Sequence, residues 1–532
     1  MFRQSSLPAG RRRPVMLAAA LAAAAALVLA GCSADSDASS SDSDEPDVLR
    51  IATVAPPVSL DPYLQNVDPV NIWFIALAYD PLIRVDSNGE YVPDLATEWQ
   101  YLDDANTQFE LTIREGVQFS DGSDLTAQGV ADSLNYALTS GVNGANWLGS
   151  VSSITASSDS TVLITTATSN PSLPELLTQR VLLGSVISPE GLEDKEGLKS
   201  NTAGAGPYVL DNAETIADDT YVYTPNEYYW DQDKILWDRV ELKVVANTAA
   251  ALQAVQNGEV DLFRGDTATG ETATSSGLEA FGVPLGLLGM NYIDRTGEIA
   301  PELADVRVRQ ALNYAIDKVS IAQAVYGDYG KAGGALALED TIGFDQEAND
   351  YYDYDPEKAK ELLAEAGYAD GFTVDVGYVT SVSSDILVQA VAANWAEIGV
   401  TANLVNYSDA GQAVTDITAK KFPIAYYGYG ELPPYIVASS FLAGGLNQYN
   451  PWQVSDSQLT ETLNAAAAAA DADEAQDLYA EAFSRSYVDL AWYGGVVNSE
   501  QVFIYDPETV TGLEATTNGP TPDIAWAVSP VE

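Results

Sequence analysis

An α/β fold is predicted by three observations. Stretches apolar at period two alternate along the chain with stretches apolar at helical spacing, and residues 372–405 read as strand, helix and strand in succession. At 532 residues the chain also exceeds one ordinary core, and typical domain sizes divide it into roughly two to four domains or subdomains. The strand-helix-strand unit implies a parallel pair joined by a right-handed crossover.

The chain opens with a segment outside that fold. Arg3 and Arg11 to Arg13 precede an apolar run from Met16 to Ala30, and small residues lead to Cys32, the only cysteine. That is the layout of an export signal, and the run is shorter than the roughly 20 residues a membrane-spanning helix needs. Leu29-Ala30-Gly31-Cys32 resembles the lipobox of bacterial lipoproteins, in which the cysteine carries a diacylglycerol and becomes the new N-terminus. Residues 1–31 are therefore expected to be a signal peptide, with an ordinary secretory signal as the competing reading. Arg12-Arg13 leaves the general and twin-arginine routes open. Residues 32–47 hold no large apolar side chain and are expected to form a lipidated, disordered, acidic tether.

Composition narrows the chemistry. With 24 basic against 77 acidic residues the formal charge is −53, which argues against nucleic acid and against broad adsorption to anionic lipid. Such a charge keeps an exposed surface protein soluble, and it also steers cationic ligands inward. One cysteine forms no intramolecular disulfide, so the core alone must hold the fold. The absence of histidine excludes Ser-His-Asp and Cys-His catalysis and His-ligated zinc. Glycoside hydrolysis by paired carboxylates and calcium on oxygen ligands survive, but no acidic pair stands out. No cofactor and no metal site is expected.

Folded structure is expected to begin at Val48, with a strand to Val54 that Pro56 and Pro57 stop. Phe109, Leu111 and Ile113 alternate on one face of a strand, Asp121-Gly122 supplies a turn, and Leu125 to Leu138 reads as a helix with Val130, Leu134 and Leu138 on one side. Gly204 and Gly206 precede Pro207 with no helix behind them, so they read as a turn before a strand and not as a phosphate loop. Thr248 to Asn257 reads as a helix that Gly258 caps, and a strand starts at Glu259 to Leu262. Leu287 to Ile293 reads as a strand. Asp305 caps a helix whose buried stripe is Val308, Leu312, Ala315 and Val319, with Arg307 and Arg309 expected in ion pairs or facing solvent. Asp355 and Pro356 open another helix that Gly367 closes. Phe372 to Val379, Asp385 to Ile398 and Val400 to Val405 form the strand-helix-strand unit. Ala465 to Ala470 is expected inside a helix, Leu478 to Val488 as a helix, and Trp492 to Val497 as a strand.

Several blocks carry a resemblance in order and approximate spacing. They are Leu60-Asp61-Pro62, Tyr79-Asp80-Pro81-Leu82-Ile83-Arg84, Pro93-Asp94-Leu95-Ala96, Phe109 to Gly122, Gly204-Ala205-Gly206-Pro207-Tyr208 and Asp305 to Lys318. Together they resemble the family 5 extracellular solute-binding proteins, the peptide and nickel group that serves ABC importers. The resemblance covers Val48 to about Leu513. It implies a two-lobed clamp of the periplasmic-binding-protein type (type II, cluster C-like) with an extra subdomain in the first lobe. Lobe one would span 48–285 with an insert at roughly 85–205, lobe two 286–488, and residues 489–532 would return to lobe one.

The resemblance also implies where a ligand sits. In the family the strand and loop corresponding to Phe422 to Tyr435 commonly run Gly-Trp and then an aspartate pair around a proline, one aspartate binding a peptide's amino terminus. Here the acidic position is Glu431 and the second is Pro434, so that anchor is altered. Tyr427, Tyr429 and Glu431 are the main ligand candidates, because aromatic faces cover rings or apolar bodies and a carboxylate accepts from hydroxyl or ammonium groups. Packing in the lobe core is the competing reading for both tyrosines. Ala55, Pro57, Asn291, Asn447, Trp452 and Trp492 are further candidates placed by resemblance. The expectation is a monomeric, non-enzymatic, lipid-anchored binding protein outside the cell that captures a small solute, peptide first, by hinge closure and delivers it to a membrane permease. An oligosaccharide or other non-peptide ligand is the alternative, followed by a non-transport receptor or chaperone and by a carboxylate glycosidase.

Overall fold

A computed structural model describes residues 47–64, 69–140, 148, 150–339, 341–430, 433–442, 449–469, 471–513 and 521–531. The leader, Cys32 and all but the last residue of the tether lie outside the described residues, as do Glu431 and Asn447. Among the described residues no helix is long and apolar enough to cross a membrane.

One sheet of eleven strands runs through the fold. Its strands are β1 (Val48–Thr53), β2 (Tyr208–Leu210), β3 (Thr220–Pro225), β4 (Arg239–Val244), β5 (Leu262–Arg264), β6 (Glu279–Tyr292), β7 (Gly330–Ala332), β8 (Phe372–Val379), β9 (Val400–Tyr407), β10 (Ile424–Gly430) and β11 (Tyr493–Tyr505). They lie in the order β9-β8-β10-β6-β11-β5-β1-β4-β3-β2, with β7 also on β11. The two longest, β6 and β11, pair antiparallel from Glu279 opposite Tyr505 to Asn291 opposite Tyr493. One end of this ladder belongs to a core holding Leu49, Trp73, Phe109, Leu242, Val283 and Phe503. The other end belongs to a second core holding Leu287, Val308, Trp395, Val400 and Tyr487. Between Val283 and Leu287 the ladder changes core, and there its register slips between Pro284 and Gly286. This is the two-lobed α/β architecture that the resemblance implies.

Both strands are longer than the sequence suggests. The expected Leu287 to Ile293 strand is only the second half of β6, whose first half is disguised by Gly282, Pro284 and Gly286. Gly286 sits at φ +146, and a Cβ there would lie 2.0 Å from the Tyr429 carbonyl oxygen, so only glycine fits the slip. The expected Trp492 to Val497 strand is likewise the first half of β11.

The strand-helix-strand unit forms as expected. β8 and β9 pair parallel from Phe372 opposite Val400 to Val379 opposite Tyr407, joined by the helix Val382–Glu397. Gly204 and Gly206 form the turn before β2, where a Cβ would meet the Ala78 backbone at 2.1 and 2.5 Å. A four-stranded sheet of Ala96–Tyr101, Gln108–Ile113, Thr161–Thr166 and Val151–Ala156 turns Phe109, Leu111, Val162 and Ile164 into the first core.

Three expectations are corrected. Asp305 caps Val306–Tyr314, but the buried stripe stops at Ala315, because Asp317 caps a new helix from Lys318 and resets the phase. Val319 is accordingly 71% exposed. Arg309 neither pairs with an acid nor faces solvent: it is buried and donates to the carbonyls of Leu303, Leu490 and Ala491, fastening this helix to the chain entering β11. Arg307 does pair, with Asp305 at 2.6 Å. The alanine run does not lie within one helix, since Ser457–Ala467 ends inside it and Asp471 caps the next helix, Ala472–Ser484. The chain from Arg485 to Asp489 then continues as a π-turn.

The C-terminal segment around Asp523 is tied to the first core by a buried charge cluster. Arg84, 5% exposed, reaches Asp94 at 2.7 Å, Asp523 at 2.7 Å and Asp80 at 3.1 Å. The Trp526 ring lies 3.7 Å from its guanidinium carbon, and Trp230 Nε1 donates to Asp80 at 3.1 Å. Three carboxylates on one cation leave excess negative charge in a dry site. Burial pushes Asp80 up from 3.8 to about 6, and burial together with the Asp80 charge raises Asp94. For Asp80 the folded value lies above the unfolded one. Its stabilising contribution is therefore complete below about pH 4 and is lost as pH rises through about 6.

Replacing Arg84 with Met removes the cation that pairs directly with all three carboxylates. Urea unfolding should register a loss of about 3–5 kcal/mol at pH 7 and a smaller loss at pH 5, where Asp80 is largely protonated. Equal losses at the two pH values would refute this account.

Candidate functional site

β10 lies between β8 and β6, and strand alternation sends Tyr427 and Tyr429 to one face of the sheet. Across the ladder Tyr429 stands opposite Leu287, and Tyr427 stands opposite Gly289, which has no side chain to compete for the space. Asn291 and Tyr493 face each other on the same side. The rings converge: Tyr427 and Tyr449 have centroids 4.4 Å apart, Phe441 and Tyr449 also 4.4 Å, and Tyr429 and Phe441 4.6 Å. Tyr493 closes the group at 6.0 Å from Tyr429. Burial raises the phenols of Tyr427 and Tyr429 well above their usual value, so both stay neutral at physiological pH.

A cation sits beside these rings. Arg295, just beyond β6, is buried, with its guanidinium carbon 4.5 Å from the Trp492 ring centroid. Its Nη2 donates to Asn291 Oδ1 at 2.9 Å, and Asn291 Nδ2 donates to the Tyr449 carbonyl at 3.1 Å. Desolvation lowers Arg295 to about 9, which leaves it charged at neutral pH.

The segment after β10 touches both cores. Tyr435 and Ile436 pack on the first, whereas Val437, Phe441 and Leu442 belong to the second. Ser169 Oγ donates to the Ala467 carbonyl at 2.9 Å, and Thr267 Oγ1 to the Tyr326 carbonyl at 3.3 Å.

Of the residues singled out from the sequence, Tyr427, Tyr429, Asn291 and Trp492 come together here. Tyr429 is only 3% exposed and packs against the rings of Tyr427, Phe441, Tyr449 and Tyr493. Trp452 lies in a small neighbouring cluster with Ile293, Ile417 and Phe422, against which Tyr427 also packs, and its Nε1 donates to Glu298 at 2.9 Å. Ala55 is exposed and Pro57 half-buried in the loop after β1, and no described hydrogen bond or ring contact joins them to the tyrosines. Sequence reasoning missed Arg295, Phe441, Tyr449 and Tyr493. Arg295 carried one faint signal, a basic residue directly after an apolar strand in a chain with only 24 Lys and Arg. Among the described residues no cluster of three or more cysteine or acidic side chains is built to hold a metal ion.

Known proteins resemble this chain in sequence and in fold. Residues 90–451 match the model described as bacterial extracellular solute-binding proteins, family 5 Middle. Heme-binding protein A of Haemophilus influenzae is 32% identical over 303 residues, 54% of this chain and 53% of that protein. The dipeptide-binding protein of Escherichia coli is 26% identical over 353 residues, 60% of this chain and 64% of its own length. The chain thus spans between half and two thirds of these curated relatives. Among solved structures, AgaA of A. tumefacien R10 in complex with agropinic acid superposes with a TM-score of 0.77 at 20% identity, covering 91% of this chain and 99% of that one, which establishes the shared fold. With the matched model covering more than half of it, the chain belongs to the family 5 bacterial extracellular solute-binding proteins.

Proposed function

We propose that this chain captures a small solute, peptide first, between two lobes and delivers it to the permease of an ABC importer. The observation that carries this reading is the β6–β11 ladder, which alone among the described strand pairings passes from one core to the other, with an aromatic face beside it. The lobes are taken as 48–285 and 286–488, with 489–532 returning to the first. Closure is a bend of this ladder, and a solute shifts the open and closed populations only through contacts it makes better in the closed state. No bond of the solute is made or broken. A non-peptide solute such as an oligosaccharide is the second reading. It is favoured by the altered acidic anchor at Glu431 and Pro434 and by the tyrosine-rich face of β10. Lipid on Cys32 and the acidic tether would hold the lobes beside the membrane, raising their effective concentration at the permease.

Mass spectrometry of solute released on unfolding the gently purified protein tests the ligand class: peptides support the first reading, and a sugar supports the second. Small-angle scattering should give a smaller radius of gyration at saturation with that released solute, and an unchanged radius would sink the clamp. Replacing Cys32 with Ala should release the protein from the membrane and lower uptake without changing solute affinity. A fall in affinity would instead assign the cysteine to the fold.

A further inference from the structure

Three buried arginines have different surroundings. Arg84 is ringed by carboxylates, and Arg309 donates to well-placed carbonyls, at 2.8 Å to Leu490 and 3.0 Å to Ala491. Arg295, 8% exposed, has neither kind of company. Its one well-formed bond goes to Asn291 Oδ1 at 2.9 Å. Contacts to Asn450 Oδ1 at 3.4 Å, the Tyr449 carbonyl at 3.4 Å and the Trp492 carbonyl at 3.5 Å are at the limit of hydrogen bonding. Asn450 Oδ1 is moreover engaged by the Val454 amide at 2.9 Å. The Arg295 Nε is buried with no partner, and among the described residues no carboxylate forms an ion pair with this side chain.

A guanidinium offers five N–H groups in a rigid fork matched to a carboxylate. Burying one without a counter-charge disfavours the fold, and apolar packing would serve stability better. The site also has the surroundings of a receptor. Trp492 covers one guanidinium face, the charge acts on the Tyr429 hydroxyl, and the Tyr449 ring leans on Tyr427. We propose that Arg295 is the recognition group for a carboxylate of the captured solute, received by the unpartnered Nε and the loosely bonded Nη groups. The inference rests on the solute-capture reading and specifies its chemistry: the solute carries an anionic group, and the tyrosines cover the body attached to it. The chain's strong negative charge keeps anions away generally, so a single buried cation selects for a solute that also fits the aromatic face.

The full chain and its Arg295→Met variant are titrated with sodium acetate against sodium chloride at constant ionic strength, with calorimetric heat and thermal midpoint as readouts. The wild type should respond saturably. Arg295→Met should bind acetate on the order of 10- to 100-fold more weakly, the worth of charge-assisted bonds. Arg295→Lys should fall between the two, because an ammonium keeps the charge without the fork, and it carries the comparison if the Met variant does not fold. Absence of a saturable wild-type response, or the same response in Arg295→Met, overturns the proposal. Tighter binding of inorganic phosphate than of acetate overturns the carboxylate assignment. Solute capture fails separately, if nothing is released from the unfolded wild type, and that outcome leaves the acetate comparison readable.

Discussion

The antiparallel ladder between β6 and β11 is the constraint on which the rest of the molecule depends. The pairing runs from the first core into the second and so links the two halves of the sheet. The ladder is irregular only where it must be, at the slips beside Gly286 and Gly289. A slip of this kind leaves backbone groups unpaired and bends the strand locally. The change of core, the irregular register and the left-handed glycine thus coincide within a few residues.

Around that ladder three buried arginines are used in three distinct ways. Arg84 ties the beginning of the fold to its end, because its acidic partners come from three places in the chain and the last, Asp523, follows the return. Arg309 replaces a missing hydrogen-bond donor where the chain leaves the π-turn and enters β11, and Ala491 adopts positive φ at that junction. Arg295 is held too loosely to be explained by either task. The contrast matters because buried charge disfavours folding unless a partner offsets it. Carboxylates offset it for Arg84 and carbonyl dipoles for Arg309, while Arg295 keeps an uncompensated edge beside the tyrosines.

The aromatic site follows the same logic of position before chemistry. Tyr427 and Tyr429 share a face because strand residues two apart do, and that much follows from the pattern. Their depth follows from elsewhere: Phe441 and Tyr449 fold back from a later segment, and Tyr493 arrives on β11 from the far end of the chain. Tyr429 is consequently interior, while Tyr427 remains half-buried at its edge.

What the sequence determined by itself was local. Asp305, Asp355 and Gly258 mark helix ends because capping depends on a few neighbouring atoms, and β8 with β9 was legible because a short period-two run needs only its own side chains to be recognised. The ordered blocks from Leu60 to Lys318 identified the family, since they preserve spacing that no single element requires. Only the tertiary structure decided the rest. Glycine and proline concealed half of β6, Asp317 reset the helical phase so that Val319 faces solvent, and Arg309 found carbonyls far away in sequence. Partners separated by one or two hundred residues leave no periodic trace, so the environments of Arg84, Arg295 and Tyr429 come from the packing of the two cores and not from the residues beside them.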